Sequence, residues 1–103
     1  MEKYIKLFER LGIGEKISRV YLDLLEHGTS SIADISRRTD LHRIEVYRAI
    51  PYLEEEELIT PIQRGKRTLY RPLSPDRISE LIRDFERRNT PIMDDLMSKY
   101  EKL

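Results

Sequence analysis

A mostly α fold with one small β-hairpin and a long C-terminal helix is what this sequence predicts, on three observations. Apolar residues recur at helical spacing through most of its 103 residues. A two-turn helix is joined to a longer one by three or four residues, the arrangement of a helix-turn-helix. A glycine-centred hairpin follows that second helix at once, which makes the whole a winged helix-turn-helix with a two-stranded β-wing; a plain three-helix bundle has no need of one.

Taken in order, residues 2–11 place Tyr4, Ile5, Phe8 and Leu11 on one helical face, and Gly12 ends the helix. Gly14 is the N-cap of the next helix, Glu15 to His27, whose stripe of Ile17, Val20, Tyr21, Leu24 and Leu25 is the strongest helix signal in the chain. Gly28 supplies the left-handed residue that stops it. Thr29-Ser30-Ser31 reads as a turn or a very short strand. Ser31 with Asp34 forms a capping-box-like start for a helix from Ile32 to Arg38, broken by Thr39-Asp40. Leu41 opens the next helix, running to Glu56. Val46, Ala49, Ile50 and Leu53 share its inner face, Ile44, Arg48 and Glu55 lie opposite, and Arg43 and Tyr47 flank them. Pro51 removes one hydrogen bond inside this helix and is expected to bend it. Leu58 to Ile62 is a strand that Pro61 confines to an edge or a bulge. Arg64-Gly65-Lys66 is the turn and Arg67 to Arg71 the returning strand. Ser74-Pro75 starts a final helix with proline at its first position. Residues 1–74 are thus expected to be the winged-helix domain and 75–103 a helical dimerisation tail.

Composition excludes most chemistry. The sequence has no cysteine and two histidines, His27 and His42, fifteen positions apart, so no catalytic residue, metal site or cofactor is expected. No apolar run is long enough for a membrane span and the start lacks a leader's apolar stretch, from which a cytoplasmic protein is expected. Asn89 and Gln63 are the only amides, and with no cysteine this hints at a thermophilic source. Nineteen basic residues balance nineteen acidic ones, which argues against indiscriminate binding of polyanions. The charges are nonetheless segregated: residues 60–72 hold Arg64, Lys66, Arg67 and Arg71 with no acid, and residues 54–57 are four glutamates.

Candidate DNA-binding residues follow from that distribution. On the second helix of the motif, Arg43, Tyr47 and Arg48 bring donors and Ile44 an apolar contact, a set suited to guanine edges and thymine methyls in a major groove. His42, at its start, can reach a phosphate. Arg64, Lys66 and Arg67 make the wing tip a phosphate clamp or minor-groove probe. Arg37 and Arg38 are candidates that also complement the negative end of their own helix. The partners expected are double-stranded DNA and a second copy of the chain, with no membrane and no small-molecule effector in evidence. The competing reading is a winged-helix protein–protein interaction module without DNA reading, favoured by zero net charge and the glutamate run.

The same segments carry a family resemblance. Leu11-Gly12-Ile13-Gly14-Glu15, Arg19-Val20-Tyr21-Leu22 and Leu24-Leu25-Glu26-His27-Gly28 resemble the N-terminal winged-helix domain of TrmB-family transcriptional regulators. The likeness runs on through Ile32-Ala33-Asp34-Ile35-Ser36-Arg37-Arg38-Thr39, Val46-Tyr47, Leu53-Glu54-Glu55, Leu58-Ile59 and Tyr70-Arg71-Pro72-Leu73-Ser74-Pro75. It implies DNA binding through the helix from Leu41 to Glu56, with the hairpin as wing. Family members often carry a larger sugar-sensing C-terminal domain; this sequence has no room for one, so sugar sensing is not expected. Where the family pattern has glycine in the helix-turn-helix turn and after the reading helix, this sequence has Asp40 and Glu57.

In the tail, Ile78, Ile82, Phe85, Asn89, Ile92, Leu96 and Leu103 follow a 4-3-4-3-4-7 spacing. This reads as a dimer seam with Asn89 at an a-type position fixing register. The alternative is a monomer whose tail folds onto Tyr4, Ile5 and Phe8. Thr90-Pro91 implies either a kink in this helix or a break into two.

Overall fold

A computed structural model describes residues 1–101; Leu103, the last member of the expected tail seam, lies outside the described residues. The order is α1 (Glu2–Arg10), α2 (Glu15–His27), α3 (Ile32–Thr39), α4 (Arg43–Glu55), β1 (Ile59–Arg64), β2 (Arg67–Pro72) and α5 (Asp76–Tyr100). α2 is the hub, with α1, α3, α4 and β2 all packed on it. Its Val20, Tyr21 and Leu24 are buried with Ile35, Val46, Leu53 and Leu58 in one core. The Tyr21 hydroxyl donates to the Leu73 carbonyl at 3.0 Å, tying α2 to the exit of the hairpin, and burial pushes its pKa up to about 12.

Local chemistry accounts for the boundaries. α1 and α4 end in the same way: the second residue past the cap donates back to the third residue from the helix end, Ile13 to the Phe8 carbonyl at 2.9 Å and Leu58 to that of Leu53 at 2.8 Å. The residue between is left-handed, Gly12 at φ 86° and Glu57 at φ 59°. Apolar residues follow in both cases, so each cap is closed by a buried contact. At α3, the Ser31 hydroxyl accepts from the Asp34 N–H at 3.1 Å. Asp40 then turns the chain at φ 62°, and α4 starts at Arg43 rather than Leu41, with His42 as N-cap. Arg19 donates to the Thr39 carbonyl at 2.6 Å, satisfying the end of α3.

Ser30 pairs with Tyr70 in both directions, 3.0 and 2.8 Å, as a third rung beside the hairpin. Pro61 lies opposite Tyr70. Since Tyr70 gives both backbone groups to Ser30, the missing N–H of Pro61 is on the outer side of the edge strand and breaks nothing.

Both internal prolines are tolerated. α4 runs through Pro51, and the carbonyl it leaves without a donor is that of Tyr47, an exposed residue. α5 is one helix through Pro91, which removes the two-helix alternative. The carbonyl Pro91 leaves without a donor is that of exposed Arg87, and just before it Asn89 and Thr90 donate their side chains to the Phe85 and Glu86 carbonyls at 2.7 and 2.8 Å, four residues back. The start of α5 is held by Arg77, whose guanidinium donates to the Glu56 carbonyl at 2.9 Å and to Glu80 at 2.7 Å. Only the proximal part of α5 touches the core: Ile78 is buried, Leu81 and Ile82 are partly so, and the rest projects, giving extents of 62 × 23 × 20 Å.

Candidate nucleic-acid interface

α4 presents two unlike halves. Its core stripe turns Arg43, Ile44, Tyr47 and Arg48 outward on the N-terminal half, all exposed. Glu54 and Glu55 are exposed on the C-terminal half. A polyanion can therefore approach the first two turns and is repelled from the last. The N-terminal half is held in place by Glu45, which accepts from the His42 N–H at 3.0 Å and pairs with Lys16 of α2. The Lys16 ammonium, and then the His42 N–H, hold the Glu45 carboxyl below the usual carboxylate range.

The wing lies beside this half. Arg64 and Arg67 face each other across the turn, Gly65 has φ 62° and Lys66 does not share it, the pattern of a type II′ turn. Gln63 donates to the Gly65 carbonyl and accepts from Thr68 at 3.2 and 2.9 Å, stiffening the tip. Arg64, Lys66 and Arg67 are exposed and enter no ion pair among the described residues. Between wing and helix runs a groove of about 370 Å³, with Arg43 and Tyr47 on one wall, Arg67, Thr68 and Tyr70 on the other, and the first turn of α3 at its floor. That first turn brings unpaired N–H groups and the positive end of a helix dipole to the same place.

The profile of the sugar-specific transcriptional regulator TrmB family matches residues 7–76, most of the chain, from within α1 to the start of α5. The chain belongs to the TrmB family. TrmBL2, an archaeal chromatin protein whose structure is described as showing a novel mode of DNA binding, aligns over 98% of this chain at TM-score 0.76 and 19% identity. The chain spans 39% of TrmBL2. A possible transcriptional regulator from Methanosarcina mazei Go1 aligns over 93% of this chain and 87% of its own, at TM-score 0.76 and 15% identity. By sequence, an uncharacterised protein of Methanocaldococcus jannaschii is 32% identical over 78 residues, 72% of this chain; the chain spans 65% of that relative. The fold is that of DNA-binding winged-helix transcriptional regulators.

Within this TrmB-family frame the sequence candidates fall into distinct places. Arg43, Tyr47 and Arg67 line one groove, with Ile44 next to them on the outer face of α4. Arg48 lines a second hollow, on the side of α4 that faces the start of α2. His42 is exposed at the N-cap, and Arg37 is exposed with one 3.3 Å contact to Asp34. Arg38 is placed otherwise. Its guanidinium grips both oxygens of buried Asp23, Nε at 3.1 and 3.2 Å and Nη2 at 2.8 Å, and donates to the Ser30 hydroxyl at 2.6 Å. It fastens α3 to α2 and is occupied there, away from the groove.

Sequence reasoning had not grouped Ser31, Thr68 or the first turn of α3 with the cations. Their signal was a capping motif and a strand residue, and only the Ser30–Tyr70 pairing brings them to the groove. Asp40 and Glu57, standing where the family pattern has glycine, both adopt the left-handed backbone that glycine would supply.

The tail residues divide into a proximal and a distal set. Ile78 is buried beneath its own chain and Ile82 half-buried, because Arg77 draws the start of α5 onto the end of α4. Phe85, Ile92 and Leu96 are exposed, and Asn89 bonds its own helix.

Proposed function

We propose that this chain binds double-stranded DNA sequence-specifically as a homodimer and regulates transcription. The observation that carries the reading is the groove between α4 and the wing, which joins Arg43, Tyr47 and Arg67 with the first turn of α3. The N-terminal half of α4 would enter the major groove, where Arg43 or Arg48 can meet guanine and Ile44 a thymine methyl. Arg64, Lys66 and Arg67 would hold phosphates or probe the minor groove, and His42 and Arg37 would reach the backbone at its margin. Zero net charge is no obstacle, since the glutamates of residues 54–57 stand at the far end of α4. In a two-fold dimer the reading helices address half-sites about one helical turn, roughly 34 Å, apart.

The test is selection of bound duplexes from random sequence, followed by affinity measurement on a selected and a scrambled site at rising salt. Enrichment of an inverted repeat, with log affinity falling linearly in log salt, is expected. Binding without enrichment would reduce the reading to backbone binding. No binding at low salt would leave the interaction-module reading in its place.

A further inference from the structure

We propose that two copies join antiparallel through α5, the distal half of each helix lying in an apolar groove that α1, α2 and proximal α5 form on the other copy. The proposal rests on the homodimer reading above and specifies its geometry.

Among the described residues, twelve large apolar side chains are exposed. Two, Ile44 and Tyr47, belong to α4. The other ten fall into two sets. Met1, Tyr4, Leu7 and Leu25 stand around a groove of about 760 Å³, floored by Phe8, Ile78 and Ile82. Phe85 and the distal residues Ile92, Met93, Leu96, Met97 and Tyr100 run along one face of the projecting part of α5. Ten such side chains, 38–66% exposed, present on the order of 1,000 Å² per copy. A standard interface needs roughly 800 Å² per partner, and the largest patch on a monomer is usually about 300–600 Å².

The distal helix also needs support. Its last turns carry Pro91 and receive no tertiary cover from their own chain, and isolated helices of that length are marginal in water. The groove cannot take the same chain's tail, because Ile78 and Ile82 of its floor and the distal residues belong to one continuous helix that runs away from it. It can take the tail of a second copy.

Direction follows from burial and spacing. A parallel seam would set Ile78 against Ile78 and Ile82 against Ile82, groove floor facing groove floor, with no exposed side chain to fill either. The spacing 4-3-4-3-4 from Ile78 to Leu96 reads the same from either end. An antiparallel pair therefore sets Ile92 against Ile82 and Leu96 against Ile78 of the other copy, which is where the groove lies. One two-fold contact then buries both apolar sets twice.

The full chain is measured by sedimentation at tens of micromolar, with disulfide trapping made simple by its lack of cysteine. The wild type is expected as a dimer. Leu96→Asp on the tail and Leu25→Asp on the groove wall should each give folded monomers by circular dichroism and sedimentation. Leu25 is outside α5, so a dimer that survives Leu25→Asp overturns the groove. Mixed Ile82→Cys and Ile92→Cys chains should trap a disulfide dimer, and neither should do so alone. Ready self-trapping of Leu96→Cys would overturn the antiparallel direction while leaving the homodimer standing. A monomeric wild type would overturn both.

Discussion

Arg38 is the residue at which a DNA contact and a structural role separate most cleanly. The perturbation is Arg38→Met, which keeps the aliphatic stem and removes the guanidinium. It leaves the Asp23 carboxylate, 7% exposed, with only His27 at 3.8 Å nearby. Breaking a buried ion pair from one side costs about 3–5 kcal/mol. The Arg38 side chain is 23% exposed, so water can enter and the cost falls to roughly 2–3 kcal/mol. For a domain of this size that is a drop in Tm of roughly 10–20 °C. Replacing both partners, Asp23→Leu with Arg38→Met, should recover most of the loss, since no charge is then stranded. Thermal melts of wild type, both single variants and the double variant give the coupling directly. The affinity of the folded Arg38→Met protein for a selected duplex, and its salt slope, should equal those of wild type. An unchanged Tm together with a shallower salt slope would refute this reasoning and return Arg38 to the interface.

Changing Arg64, Lys66 and Arg67 together to Ala should weaken binding on every duplex, with Tm unmoved. The log–log salt slope should flatten by about 0.9 for each phosphate that is no longer neutralised. Glu57→Gly should raise stability by about 1 kcal/mol, read by denaturant melts, because the left-handed C-cap position favours glycine; a loss would mean that the Glu57 side chain makes a contact of its own. Acid should destabilise the fold through Asp34 and Glu45. The Ser31 cap and then Arg37 lower the first, and Lys16 and the His42 N–H lower the second. Both are lowered in the folded state, so the unfolded chain binds protons first: their contribution is full above the ordinary carboxylate range of about 4 and is lost as pH falls below it. Glu45→Gln should flatten that fall in a series of melts from pH 6 to 2.

What was legible in the sequence was whatever local periodicity or local backbone chemistry dictates. The helical stripes, the glycine turn of the wing and the Ser31 cap each depend on residues within four positions of one another. Asp40 and Glu57 were legible as the places where a left-handed residue was due, although neither is glycine. At the two prolines the sequence alone did not say whether the helix would continue, because that depends on whether the backbone groups they disturb can still be satisfied; both helices run through. The carbonyls left without a helical donor belong to Tyr47 and Arg87, both exposed residues. The Asp23–Arg38 pair was not legible. It joins residues fifteen apart on two helices, and nothing in a run of two arginines says which will turn inward. In the tail, the 4-3-4-3-4 spacing fixes a face but not what covers it: the proximal part of that face lies on the body of its own chain, where Arg77 anchors the helix.

That anchor ties the proposed reading to the proposed dimer. Arg77 holds the first turn of α5 to the Glu56 carbonyl at the end of α4, so the direction of the long helix is fixed relative to the helix that would enter the major groove. In a two-fold assembly joined through α5, the separation of the two reading helices is then set by one guanidinium at each end. Arg77→Met should leave each winged-helix body folded and its affinity for a single half-site unchanged, since Arg77 is remote from the groove between α4 and the wing. It should loosen the angle between α4 and α5, so that duplexes with half-sites moved one base pair closer or farther are bound almost as well as the preferred spacing. Affinity measured across a spacer series reads this directly: wild type should peak sharply and Arg77→Met should give a broadened curve of similar height on single half-sites. An equally sharp peak for both would show that the dimer contact alone sets the spacing.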